Sequence, residues 1–250
     1  MSIDYSHPIS QGFTFNEASA LGKIPGNKTF TITGRVDNAG TIGVRKDSRP
    51  GAINLVYLDS AERLNVSSDD LNDTAAGTGA QQVLVIGLDN NYLEQRELIE
   101  LDGLTPVLSV NAYLRVNLVG VSRVGTVEQN IGTITLDAEI AGTQQSSIPP
   151  TLNKSVQSNY TVPADKTLLL TGIYLSVGKN DDFEANTAVR DATVSKAFIR
   201  VSAAFLYESF GTLTGLNSKI ESKSDVKFEI IPLTPNARIV STMFVIEISN

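Results

Sequence analysis

The 250-residue chain has no cysteine, no tryptophan and a single histidine. Without cysteine it can form no disulfide, no thiolate nucleophile and no Cys-based zinc site. Without tryptophan, any stacking against a sugar ring falls to its seven tyrosines. The one imidazole, His7, lies in the N-terminal stretch, and no G-x-S-x-G elbow presents a serine to it. Paired carboxylates are the one hydrolytic arrangement that spacing leaves open. No apolar run approaches the ~18 residues of a membrane span. The opening MSIDYSHPISQGF has neither the basic nor the apolar region of a signal peptide, so none is expected. The expectation is a protein that is not an enzyme, needs no cofactor and has no membrane partner. No catalytic, cofactor-binding or metal-binding residue is assigned.

Positive charge is also in short supply. Twenty Lys and Arg face 27 Asp and Glu, and the net charge of −7 opposes broad contact with a phosphate backbone. Nucleic acid is therefore not an expected direct partner. One basic knot, VRKDSRP (44–50), interrupts this background and reads as a solvated loop. A hydrophobic content of 41% against 19% charged is enough to bury a substantial core.

What the chain does have is β-branched residues between glycine and proline marks, the pattern of many short strands joined by turns. In KTFTITGRV (28–36), Phe30, Ile32 and Val36 share one face and Thr29, Thr31, Thr33 and Arg35 the other. Further strands are expected at 52–58, 81–88, 92–101, 112–122, 132–140, 166–177, 225–233 and 238–248. In the last, Phe244, Ile246 and Ile248 share a face opposite Glu247 and Ser249. The stretch 190–209 fits helical and strand spacing alike, and its β-branched content favours a strand. NEASALGKIPG (16–26) suggests one helical turn, with Asn16 as cap and Gly22 as stop. QQVLVIGL (81–88) is apolar on both faces up to Ile86, which predicts a strand covered on both sides. Together these readings give an all-β protein: a jelly-roll-like antiparallel β-sandwich over 28–250 with an extended N-terminal arm, 1–27. The polar stretch 142–155, with its Pro-Pro pair, marks an internal division or a crossover between sheets.

Three motifs invite a functional reading. The glycines of GTG (77–79) come before a strand, with no helix after them, so they serve as a turn rather than a phosphate cradle. The acidic clusters Asp69, Asp70, Asp73 and Asp181, Asp182, Glu184 do not fit the EF-hand register and read as solvated loops; the second keeps a weak cation site as an alternative. Tyr92, Tyr113, Tyr160 and Tyr174 are expected in a core or interface, where a ring fits the pleated surface.

Several of these stretches recur together. D-x-A-A-G-T-G-A (73–80), G-L-D-x-N-Y-x-E (87–94), L-x-G-x-x-x-V (101–107), N-x-Y-L-R-V-N (111–117) and Y-T-V-P-A-x-K-T (160–167) stand in this order. With that order and spacing, the chain resembles a family of virion structural proteins of tailed phages, especially aquatic ones, over about residues 50–180. The resemblance implies a non-enzymatic structural role in a virion: capsid exterior, head fibre or tail. It implies as partners other virion proteins and the chain itself, as a homo-oligomer with a trimer as one option. The family supplies no catalytic residue to transfer. The alternative is a carbohydrate-binding β-sandwich used in receptor attachment, recognisable by tyrosines exposed beside carboxylates in a groove. The polar arm, 1–15, is expected to pack on a neighbouring subunit.

Overall fold

Strand formation follows the alternation. In β1 (Asn27–Val36) the threonines stand on the outer face while Ile32 and Val36 are buried. The computed structural model describes residues 14–194, 197–207 and 210–250. Within these, β1 is followed by β2 (Lys46–Asp47), β3 (Leu64–Ser68), β4 (Ala80–Leu88), β5 (Glu94–Glu100), β6 (Val107–Leu108), β7 (Arg115–Val124) and β8 (Ile134–Ala138). Then come β9 (Gln144–Ile148), β10 (Asn159–Thr161), β11 (Lys166–Val177), β12 (Asp182–Asp191), β13 (Ile199–Tyr207), β14 (Phe210–Ile220), β15 (Ser224–Pro232) and β16 (Ile239–Ser249). The described chain is all-β, and its strands pair antiparallel. Among the described residues no helix is long and apolar enough to cross a membrane.

Among the described residues the strands form four sheets around two large apolar cores. Sheets β1-β16-β11-β14 and β10-β15-β12-β13 share a core that includes Leu168, Leu170, Phe183, Phe228 and Met243. Sheets β6-β3-β8-β9 and β5-β4-β7 share a second, centred on Leu64, Val83, Val85, Tyr113, Ile134 and Leu136.

The smaller pair is inserted into a single strand of the larger. β2 and β10 pair with the same edge of β15, with Lys46 and Asp47 opposite Ile230 and Glu229, and Asn159 to Thr161 opposite Lys227 to Asp225. They run in one line. Between them the chain leaves at Ser48 and returns at Ser158, both at the rung of Phe228. Ser48 N–H donates to the Phe228 carbonyl (2.8 Å), Phe228 N–H to that of Ser158 (3.1 Å) and Ser158 N–H to that of Ser48 (2.9 Å). This close approach needs Gly34 on β1, where a Cβ would collide with the Ser48 carbonyl and the Ser158 hydroxyl.

Several expectations are corrected. Residues 53–58 form no strand: Pro50–Ala52 makes a 3-10 turn, and the following strap bonds to side chains instead of a ladder. Leu55 N–H donates to Asp47 Oδ2 and Asp47 N–H to Asn54 Oδ1, which satisfies backbone groups a strand would pair. β4 is not covered on both sides. Val83 and Val85 lie in the core, while Leu84 and Ile86 are only half-buried beside Leu98 and Leu118. In β16 it is Met243 and Val245 that face the core, and Phe244 lies on the outer face, 41% exposed. Helix α1 (Phe15–Ala20) is capped by Thr14, not Asn16. Thr14 and Glu17 form a capping box, which satisfies the first free amides, and Gly22 ends the turn at φ +66°. The expectations for His7 and for 1–13 of the arm lie outside the described residues.

Candidate functional site

The densest chemistry lies where the two sheet pairs join. β15 reads Asp225-Val-Lys227-Phe-Glu229-Ile, so its charged residues fall on one face and its apolar ones on the core face. The charged face is buried too, because the 49–58 strap and the smaller sheet pair cover it. A buried charge must find partners, and each of these does.

Asp225 is fully buried between two guanidiniums. Arg115, from β7 of the smaller pair, donates through Nε to Oδ1 (2.9 Å) and through Nη2 to Oδ2 (3.2 Å). Arg190, from β12 of the larger pair, donates through Nε to Oδ2 (2.9 Å). The Thr161 hydroxyl also donates to Oδ1. Arg115 Nη1 reaches the carbonyls of Leu58 (2.9 Å) and Leu114 (2.8 Å). The Tyr57 ring lies between the two cations, 4.9 Å from the Arg115 guanidinium and 4.2 Å from that of Arg190. Burial pushes the Tyr57 phenol well above its ordinary range, and the nearby Asp225 and Asp47 carboxylates push the same way.

One rung along, Lys227 Nζ donates to Asp47 Oδ1 and pairs with Glu229 Oε1, both at 2.9 Å, beneath the Phe198 ring. The knot VRKDSRP is therefore not a solvated loop: Asp47, Ser48 and Arg49 are fully buried. Burial draws the Arg49 guanidinium down from its ordinary value, against the opposing pull of Asp47. Arg49 donates through Nη2 to the Gln144 carbonyl (3.4 Å), whereas Arg115, Arg190 and Lys227 are held by carboxylates, and these carboxylate pairs fix one sheet pair against the other. Asn117 on β7 adds a polar clasp. It accepts from the Thr161 N–H and donates to the Thr161 carbonyl, both at 2.9 Å.

Two recesses flank the joint. One, of about 140 Å³, is lined by Tyr57, Asp59, Tyr92, Arg115 and Arg190. The other, of about 240 Å³, lies between β1 and the outer face of β4 and β7.

The motifs singled out in the sequence fall elsewhere. Asp73 is fully buried and closes the GTG turn. Its carboxylate accepts from the Ser68 hydroxyl (2.7 Å) and from the amides of Ala80 (2.7 Å), Ile131 (3.0 Å) and Gly132 (2.8 Å). Neither Gly77 nor Gly79 has positive φ. They are glycine because a Cβ at 77 would strike the Asn72 carbonyl and one at 79 would strike Asp73 Oδ1. Of the loop carboxylates, Asp69 accepts from Thr133 N–H and Asp70 from Asn72 N–H. Asp181 accepts from Arg238 N–H (3.0 Å), while Asp182 and Glu184 belong to β12. Tyr113 and Tyr160 are buried, the latter donating to Glu247; Tyr92 and Tyr174 are half-buried. The charged ladder was missed, although Asp225, Lys227 and Glu229 alternate in sign at period two. That alternation was the available signal.

Compared with known proteins, the chain matches no family model and no curated sequence.

Proposed function

We propose that the chain is a non-enzymatic structural subunit of a bacteriophage particle, built as a jelly-roll-like sandwich that carries a second β unit. The observation that carries this reading is the strand order of the larger sheet pair. With β2 and β10 counted as one split strand, its strands numbered in chain order run 1-8-3-6 in one sheet and 2-7-4-5 in the other. Two interlocked Greek keys produce this order, and the resulting jelly roll is a common capsid architecture. The stretches that resemble tailed-phage virion proteins support it further. They include Arg115, Asn117 and Thr161, which tie the inserted unit to the larger one. A particle component benefits from such a joint, since a projecting unit that swings would blur any contact it makes. In this reading the chain assembles with itself and with other virion proteins and resides in the virion. Quantitative mass spectrometry of purified particles of the virus that encodes it tests the reading. A fixed copy number per particle is expected; a chain found in infected-cell lysate but not in particles would overturn it.

A second reading, carbohydrate binding during host attachment, draws on one observation. Tyr92 is half-buried and lines the smaller recess beside Asp59 and Arg115. Under that reading Tyr92→Ala abolishes a glycan-array signal given by the wild-type chain.

A further inference from the structure

Among the described residues β1 is an edge strand, paired on one side with β16. On its other side Arg35 N–H donates to the Val156 carbonyl (3.1 Å). Backbone groups in an antiparallel strand alternate sides, so Thr31 and Thr33 also turn their N–H and C=O groups away from β16. The side chains agree. The hydroxyls of Thr33 and Thr242 lie 3.3 Å apart, as the close, non-hydrogen-bonded rung of that parity requires. Among the described residues Thr31 and Thr33 make no backbone hydrogen bond on this open side outside the strand ladders.

That open edge lines the 240 Å³ cleft, whose opposite wall is Ile86 and Leu118 on the outer face of the smaller sheet pair. Lys28 and Lys154 also line the cleft. Neither has a carboxylate within ion-pair distance among the described residues, and Lys28 rests over the Phe30 ring at 5.3 Å. The one carboxylate among the described lining residues, Glu94, is bonded to Arg96 at 2.7 Å. In the floor, Gln157 is buried, and its Oε1 has no hydrogen-bond partner while its Nε2 donates to the Val116 carbonyl. A buried amide oxygen without a donor is costly, and an N–H from outside would relieve it.

We propose that this cleft takes an extended peptide segment of a partner chain, added as a strand to the free edge of β1, with a carboxylate side chain against Lys28 and Lys154. Each feature has a role in strand addition. The edge amides and carbonyls of Thr31 and Thr33 supply main-chain hydrogen bonds, and alternate side chains supply selectivity. One set of side chains packs on Ile86 and Leu118, and the other reaches the lysines. A cleft of about 240 Å³ takes an extended strand and is too small for a folded partner. The occupant is therefore a tail or loop that alternates apolar and acidic residues. This inference is independent of whether the partner belongs to a virion.

The probe is a fluorescein-labelled capped pentapeptide, Thr-Val-Glu-Val-Thr, titrated into the full chain by anisotropy with amide exchange followed by NMR. Saturable binding is expected, together with slowed exchange at the Thr31 and Thr33 amides. N-methylation of the peptide's alternate amides should abolish binding. A Lys in place of its Glu, or Lys28→Glu with Lys154→Glu in the protein, should weaken it at least about tenfold. Three results would overturn the proposal: no saturable binding, binding that survives N-methylation, or binding only after residues 1–13 are removed. The last would assign the slot to the chain's own N-terminal segment.

Discussion

The two sheet pairs differ in how the chain reaches them. The smaller core draws on one continuous stretch, from Leu64 to Ile148, whereas the larger gathers strands from both ends of the sequence, with β1 beside β16. The same contrast appears between two fully buried aspartates, one from each pair. Asp73 is satisfied by the hydroxyl and amides of its own sheet pair, and it closes a turn. Asp225 is satisfied by guanidiniums from both pairs, one of them 110 positions away, and it closes a joint. A carboxylate bound by local amides stabilises one unit; a carboxylate shared by Arg115 and Arg190 makes the stability of each unit depend on the other. Substitutions in a core, in the joint and in a turn should therefore have separable consequences.

The largest effect is expected inside the smaller core. Val85→Asp places an unpaired carboxylate among Val83, Ile134 and Leu136 and should cost more than about 4 kcal/mol, enough to unfold that pair. Leu84→Asp, on the half-buried face of the same strand, should cost less than about 1.5 kcal/mol. Urea denaturation of the two variants checks the contrast, and equal losses would mean that β4 is covered on both faces.

At the joint, Asp225→Ala leaves two guanidiniums buried without their carboxylate. Breaking a buried pair in this way costs about 3–5 kcal/mol, and the same denaturation series measures it. In the turn, Gly79→Ala forces a Cβ toward Asp73 Oδ1 and should cost about 1–3 kcal/mol while leaving the joint intact. The joint is monitored separately, by the exchange of the Thr161 amide that Asn117 protects.

The smallest effect belongs to α1. Thr14 N–H and then its hydroxyl hold the Glu17 carboxyl below the usual carboxylate value. A lowered folded value means the cap's contribution is present above the unfolded glutamate range and is lost as pH falls through the folded value. NMR titration of the Glu17 carboxyl should show the depressed midpoint, and Thr14→Ala, which removes the hydroxyl but keeps the backbone N–H, should bring it only part of the way back to the ordinary range.

Much of this architecture was legible from alternation alone. KTLLLTGIYLSV coincides with β11, and QQVLVIGL, DVKFEIIPL and RIVSTMFVIEI lie within a residue or so of β4, β15 and β16. The misses have physical causes. β12 begins inside GKNDDFEANT, whose charges resemble a loop, yet β13 and β15 flank it and supply the backbone pairing its composition does not advertise. β3 and β9, LNVSS and QQSSI, are short and polar, so their composition does not advertise the pairing that β8 gives both of them. Residues 53–58 are largely apolar, as a strand's would be, but side-chain bonds from Asp47 and Asn54 take the place of a ladder. The candidate site was the least legible part. Period two shows that Asp225, Lys227 and Glu229 share a face. That this face is covered depends on Arg115 and Tyr57 arriving from an insertion whose return to the same rung no local pattern announces.

The coupling of the two sheet pairs through Asp225 is tested most directly by differential scanning calorimetry of the full chain and its Asp225→Ala variant. The account predicts a single wild-type transition with equal calorimetric and van't Hoff enthalpies, and two resolved transitions in the variant. Two transitions in the wild type, or a variant that still melts as one unit, would contradict it.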